Sequence, residues 1–472
     1  LEKHITRNGI MINNGQLSTL MNRKLSYSVW EYILRLSTVA LLALISFVLL
    51  SNKTNALNSF IWSSIAFLII TIFSTLILLK SPKWLWLFVS AYLIKLTIGL
   101  VHYLYFIDPL YFESSGGYKA LTYEFESVFD GIITFANLKL DHGIFYFESS
   151  VIEASHPEIL SLISIPFMFF GDYVLTISPI NSFFSLLISI NIFLISKYKY
   201  KFSDKTLKYI ALVTAFFPIT LLSSLLWRDV VGISFMSIGL TLIYFAKRSV
   251  TQYLMLIVAC YLFYLHRSIY PILLLLAYVI DIVLNQNNKR KGIDLLYRIL
   301  TIVFVIVLLP LIINLANTEA NESMAGGIFN FNILILPVKI LLGIIGPFPW
   351  INFLLYESIP AYAYQLQDYF QGTFNIAFVI CFILFRKKYF KKENLNLLNL
   401  MGLFLIISGL FNSFMHMPYV AFGFMFLTPL LLTEINLSKF KKIYIYSFIA
   451  LVLLNLIIIV VIGNLGISSL WK

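Results

Sequence analysis

A few carboxylate, imidazole and guanidinium groups stand in short segments between long apolar runs. Asp108 follows one run, and Glu113 lies five residues on. His156 and Glu158 share the string ASHPEIL, Arg228 and Asp229 the string SSLLWRDVVG, His266 and Arg267 the string FYLHRSIYP, and His416 stands in NSFMHMPYV. Such groups give and take protons or hold anions. Where they sit at a bilayer boundary and face a bundle interior, they are candidates for function. Each also has an ordinary reading. Asp108 can cap a helix end, Arg228 and Asp229 can pair across a tight turn, His266 and Arg267 can snorkel, and His416 can be an interfacial histidine. Lys95 and His102 lie inside an apolar run, where they pair across a bundle or snorkel.

The elements that must position these groups follow from composition. The chain has 472 residues, of which 60% are hydrophobic, 17% aromatic and 12% charged. Its mean hydropathy is +0.89. A water-soluble core cannot hide that much apolar surface, so soluble, disordered and fibrous classes are excluded. The expected fold is an all-α polytopic bundle forming one integral membrane domain over 1–472. A span needs about 20 apolar residues. Thirteen stretches approach this: 32–51, 59–79, 84–106, 174–196, 208–226, 230–246, 251–266, 269–285, 295–317, 369–386, 397–415, 418–434 and 442–465. The run 157–170 is shorter and contains Pro166, so it reads as a helix dipping into the outer leaflet.

Charge sets the expected orientation. Residues 107–156 hold eight acids against two bases, which leaves that segment at −6 and the rest of the chain at +18. With the N-terminus inside, the clusters Arg23/Lys24, Lys80/Lys83, Lys197–Lys201, Lys247/Arg248, Lys289–Lys291, Arg386–Lys392 and Lys439–Lys442 all fall on one side. That satisfies the positive-inside rule. The acidic loop 107–156 and a second loop, 318–368, then face outward, and the C-terminus ends outside. Within the second loop, 328–368 reads as amphipathic or re-entrant helices. The basic pI comes from inner loops and is no nucleic-acid signal. No cleavable signal peptide is expected, because the first apolar run is long enough to remain as a helix. Cys260 and Cys381 sit in apolar runs and read as buried thiols rather than a disulfide or a metal pair.

The string HPEILSLISIPFMFFGDYVL, followed by SPINSFFSLLISINIFLISKY, resembles the His-Pro segment of C-type (GT-C) lipid-dependent glycosyltransferases. There, a long first outer loop carries an acid near its start, and a His-Pro helix ending in Phe-Gly follows. Here Asp108 stands near the start of the loop, and Phe170-Gly171 ends the helix. The strings AFFPITLLSSLLWRDVVGISFMSIGLTLIYFAKR, LHRSIYPILLLL and GIIGPFPW are similar to membrane proteins of bacterial surface-polysaccharide clusters, including O-antigen polymerase-like proteins. The resemblance spans 84–434. It departs from the family at FESSGGYKAL, where the family shows Asp-Ser or Asp-Glu beside a Tyr, so either Glu113 or Asp108 stands for that acid. It departs again at His416, where the family's later spans present an Arg.

The resemblance implies a polyprenyl (undecaprenyl) phosphate- or diphosphate-linked sugar donor, a glycan acceptor and a site at the outer face of a bacterial inner membrane. A carboxylate would take the acceptor's proton, and cations would stabilise the leaving phosphate. Asp108 or Glu113 is then the base, or Asp229 is, if it does not simply hold Arg228. Arg228, Arg267 and His416 are the phosphate ligands. His156 and Glu158, with His266 beside Arg267, would orient donor or acceptor. No ligand spacing calls for a metal, and no cofactor is expected. The rival from another class is a lipid-linked oligosaccharide flippase or transporter, which would carry charged residues near the bilayer midplane.

Overall fold

The computed structural model describes residues 4–5, 11–12, 27–106, 123–148, 157–221, 228–246, 250–267, 269–285, 303, 344, 359–389, 391, 394–411, 417–434 and 437–464. Apart from a two-residue antiparallel pairing of His4–Ile5 with Met11–Ile12, the regular structure among them is helical. We number the helices α1 (Val29–Leu49), α2 (Ala56–Leu79), α3 (Leu85–Phe106), α4 (Tyr123–His142), α5 (Pro157–Phe170), α6 (Ile177–Leu194), α7 (Asp204–Ala215), α8 (Pro218–Leu221), α9 (Arg228–Phe245), α10 (Val250–Tyr264), α11 (Tyr270–Asn285), α12 (Ile359–Tyr389), α13 (Leu397–Phe411), α14 (Met417–Glu434) and α15 (Leu437–Asn464).

The chain is a helical membrane protein. Among the described residues, five helical stretches are long and apolar enough to cross a membrane: Val29–Leu49, Ala56–Leu79, Pro82–Val101, Val174–Lys199 and Phe370–Lys387. Along α1, Leu34, Leu41, Ile45, Val48 and Leu49 are exposed, a row of side chains that water would not tolerate but lipid does. Most other described helices fall on the expected apolar stretches, several of them shorter than a full span, but α4 lies in the acidic loop, where no helix was expected, and α12 begins ten residues before the expected 369–386. The expected span 295–317 and most of 328–368 lie outside the described residues, as do the loop residues 107–122.

Local sequence explains the ends. Ser28, Asn55 and Ser203 cap α1, α2 and α7 by accepting from the backbone amides of Glu31, Asn58 and Thr206. Gly171 closes α5 at φ +81°, a left-handed conformation that glycine adopts without strain. The expected span 208–226 is interrupted. Pro218 brings no amide donor, so α7 ends at Ala215 and the chain restarts as α8.

The central helix is α6. Nearly all of it is buried, and it packs on α2, α3, α7 and α9. A helix buried all round in a membrane protein can carry polar groups only if they find partners. Asn191 of α6 does so: it accepts from the Tyr32 hydroxyl at 2.7 Å and donates to Ser237 at 2.9 Å, tying α1 and α9 to it. Helices α13 and α14 cross at Gly402 and Gly423, where an added Cβ on either would meet the other's carbonyl oxygen at 2.8 or 2.6 Å. Small residues permit that close approach.

The two ends of the bundle differ in charge. At one end, Glu31 pairs with Lys80 and with Arg35 at 2.9 Å, and Lys83 pairs with Asp204 at 2.7 Å. Lys199 lies over the Tyr244 ring, and the Tyr244 hydroxyl accepts from the Leu398 amide. The segments around 80, 200 and 397 thus share an end. At the other end, Asn52 and Ser51 in the α1–α2 turn donate to the Phe169 carbonyl of α5 at 3.1 and 2.8 Å. At 14 residues α5 is about 21 Å long, too short to cross a hydrocarbon core of about 30 Å. It pairs with α4, which comes from the acidic loop. Phe129 near the start of α4 meets Phe167 near the end of α5, so the two run antiparallel.

Candidate functional site

The Arg228–Asp229 and His266–Arg267 strings meet in space. Arg228 is the first residue of α9 and Asp229 the second, so Asp229 stands in the first turn, where a carboxylate suits the helix dipole. His266 sits in the turn joining α10 to α11, which is held by Arg267 N–H and His266 N–H donating to the Phe263 carbonyl and by Tyr270 N–H donating to the Arg267 carbonyl. Across this junction His266 Nε2 lies 3.7 Å from Asp229 Oδ1. That is an ion-pair separation when the imidazole is protonated, and longer than a hydrogen bond. The His266 side chain is 1% exposed and that of Asp229 15%, so the carboxylate is the partner with access to the outside.

Gly232 makes the approach feasible. It lies one helical turn after Asp229, and a Cβ there would stand 2.3 Å from His266 Nδ1. On the far side of the imidazole the Tyr270 ring centroid is 5.2 Å away. Tyr270 is buried, Ser408 of α13 is within reach of its hydroxyl, and both Asp229 and Arg267 are near enough to act on it electrostatically. Arg267 itself is half-buried. An anionic, an aromatic and two basic side chains therefore share one small volume at the junction of α9, α10 and α11. This junction lies at the opposite end of α9 from Tyr244, hence opposite the basic end of the bundle.

Of the other expected site residues, Glu158 occupies the first turn of α5, which packs against α9. Asp108, Glu113, His156 and His416 lie outside the described residues. Gly232, Tyr270 and Ser408 were not anticipated. A glycine one turn after Arg-Asp in an apolar helix was the available signal for the first. The other two depend on how α11 and α13 pack. Cys260 and Cys381 are free thiols on α10 and α12.

A second polar place lies inside the bundle. Lys95 stands ten residues into α3, about 15 Å along it, near half the thickness of a hydrocarbon core. It is 1% exposed. Its Nζ donates to the Thr220 carbonyl at 2.9 Å and to Thr220 Oγ1 at 2.5 Å, at the helix break that Pro218 creates. On the same four-residue helix, the Ile219 amide donates to Gln371 Oε1 at 2.7 Å, and Gln371 donates on to Asn375 at 2.8 Å. Backbone groups freed by the break are thus taken up by side chains of α3 and α12, as irregular backbone at membrane depth requires.

No family model matches the chain, and no curated protein or solved structure matches it significantly.

Proposed function

We propose that this protein is a membrane glycosyltransferase or polysaccharide polymerase that uses a polyprenyl-(di)phosphate-linked sugar donor at the outer face of a bacterial inner membrane. The observation that carries the reading is the meeting of Asp229, His266 and Arg267 at the end of the bundle opposite the basic residues. By the positive-inside rule the basic end is cytoplasmic, which puts the junction outward. The acceptor hydroxyl attacks the anomeric carbon of the donor. The bond from that carbon to the phosphate oxygen breaks, and the polyprenyl (di)phosphate leaves with the electron pair. Asp229 takes the hydroxyl proton, with His266 holding the carboxylate in place. Arg267, with Arg228 beside Asp229 in sequence, receives the phosphate, since a guanidinium fork matches its oxygens. Asp108 and Glu113 are the alternative bases, and His156, Glu158 and His416 the remaining substrate ligands.

The test is complementation. A strain lacking the gene is supplied with wild type, Asp229→Asn or Arg267→Lys, and the length of its surface glycan is measured at matched protein level. The reading expects shortened or absent glycan in both variants. Glycan of normal length from both would reject it.

One observation favours a second reading, a lipid-linked oligosaccharide flippase or transporter. Lys95 is buried near mid-span on α3 and bonds to the interrupted segment at Pro218, and broken helices at mid-membrane are where transporters build their sites. Vesicles carrying the protein separate the two. Translocation of a labelled lipid-linked sugar that Lys95→Met abolishes and Asp229→Asn spares supports transport over transfer.

A further inference from the structure

Far from the junction of α9 and α10, helices α12 and α15 enclose an apolar crevice of about 410 Å3. That is within the roughly 300–1,000 Å3 of small-ligand pockets. Its walls include Ile376 and Ile380 of α12 and Ile443, Ser447, Ala450 and Leu454 of α15. The helices run antiparallel: the Phe370 ring stacks on Phe448 at 6.0 Å, and Phe374 lies 5.3 Å from Phe440. Ile449, Leu453 and Ile457 of α15 are exposed, so the helix borders lipid.

Two further features distinguish the crevice from ordinary lipid-facing surface. Ser447 is 5% exposed, and its hydroxyl has no hydrogen-bond partner among the described residues. A buried hydroxyl left without a partner costs about 1–3 kcal/mol, so an acceptor inside the crevice would relieve a real deficit. Lys439 and Lys442 are exposed on α15 one turn before the lining residues Ile443 and Tyr446, on the same face of the helix.

We propose that this crevice holds one anionic phospholipid from the leaflet at the basic end of the bundle. An acyl chain fills the space between α12 and α15, and the phosphate sits between Lys439 and Lys442. Ser447 lies five residues beyond Lys442, about 7.5 Å along the helix. The glycerol ester carbonyls lie below the phosphate, toward the bilayer interior, and one of them accepts from the Ser447 hydroxyl. A zwitterionic lipid could fill the crevice but would gain little from the lysines, so the headgroup charge selects the occupant. The site is at the opposite end of the bundle from Asp229 and His266, and it stands whether or not the proposed transfer reaction does.

The test uses the full chain in detergent, stripped of lipid and offered phosphatidylglycerol or phosphatidylcholine, with bound lipid counted by native mass spectrometry. Wild type is expected to retain one phosphatidylglycerol in preference to phosphatidylcholine. The combined variant Lys439→Gln, Lys442→Gln should lower that preference about 25-fold, at about fivefold per basic residue near a membrane surface. Ala450→Phe adds bulk at an exposed wall position and should abolish retention of either lipid, with the unfolding temperature unchanged. Equal retention of the two lipids by wild type overturns the proposal. So does loss of preference in the lysine variant with normal retention by Ala450→Phe, because that is adhesion to surface charge without use of the crevice.

Discussion

The junction of Asp229 with His266 and the seat of Lys95 handle charge in opposite ways. At the junction a carboxylate stands in the first turn of a helix with 15% of its side chain exposed, and its partner imidazole is 3.7 Å away, too far for a hydrogen bond. The carboxylate reaches the outside, while the imidazole is buried behind it. Lys95 is 1% exposed and bonds at 2.9 and 2.5 Å to a single residue, Thr220, on the short helix that follows the break. A charge that can rearrange and exchange protons with solvent suits chemistry. A charge locked to backbone inside a bundle suits architecture, or a conformational change that breaks the lock.

The largest effect expected from testing that contrast is at the lock. Lys95→Ala removes the donor from the Thr220 carbonyl and opens a void beside α8, and should destabilise the protein by about 3 kcal/mol, read as a lower unfolding temperature in detergent. If unfolding is unaffected, Lys95 is not holding the break. Next comes Gly232→Ala. With its Cβ 2.3 Å from His266 Nδ1, the imidazole must move away, which costs about 1–3 kcal/mol and separates it from Asp229. Glycan formation should fall with it, and a fully active Gly232→Ala would show that the position of His266 is irrelevant.

Asp229→Asn sharpens the comparison by reversing the order of effects. Asparagine keeps the size and one acceptor oxygen of the carboxylate, so unfolding should shift less than in Lys95→Ala while function is lost. A large loss of stability here would make the junction structural, like the seat of Lys95. The smallest effect is at the basic end. The Lys83 ammonium, hydrogen-bonded to the exposed Asp204, holds the carboxyl of Asp204 below its ordinary value. Its stabilising contribution is present above the usual aspartate value of about 3.9 and is lost as pH falls through the lowered folded value. Asp204→Asn should flatten that acid limb slightly at low salt and not at all at high salt.

The positions of most apolar helices were legible because hydropathy sets them, whereas α4, in the acidic loop, was not. The expected stretches 32–51, 59–79 and 174–196 reappear as α1, α2 and α6 with its flanking turns. The short run 157–170 was readable as a non-spanning helix from its length and the charge on either side, and α5 has those bounds. The interruption of 208–226 was carried by Pro218, which length and hydropathy do not weigh. The candidate site was legible in part. Arg228–Asp229 and His266–Arg267 stood out as charges between apolar runs, but nothing in either string says that one faces the other.

The sequence by itself determined that this is a helical membrane protein, where its apolar segments lie, and which sparse polar groups must be accounted for. Those properties depend on composition and local order, which lipid and the chain's own hydrogen bonds read segment by segment. Only the tertiary structure decided that His266 meets Asp229 across Gly232, that Lys95 finds Thr220 just after the break at Pro218, and that α12 and α15 leave a crevice between them. These pairings join residues between 34 and 125 positions apart, and lipid supplies no hydrophobic force to choose between helix neighbours. The choice fell to close packing at glycines and to polar groups that had to find one another.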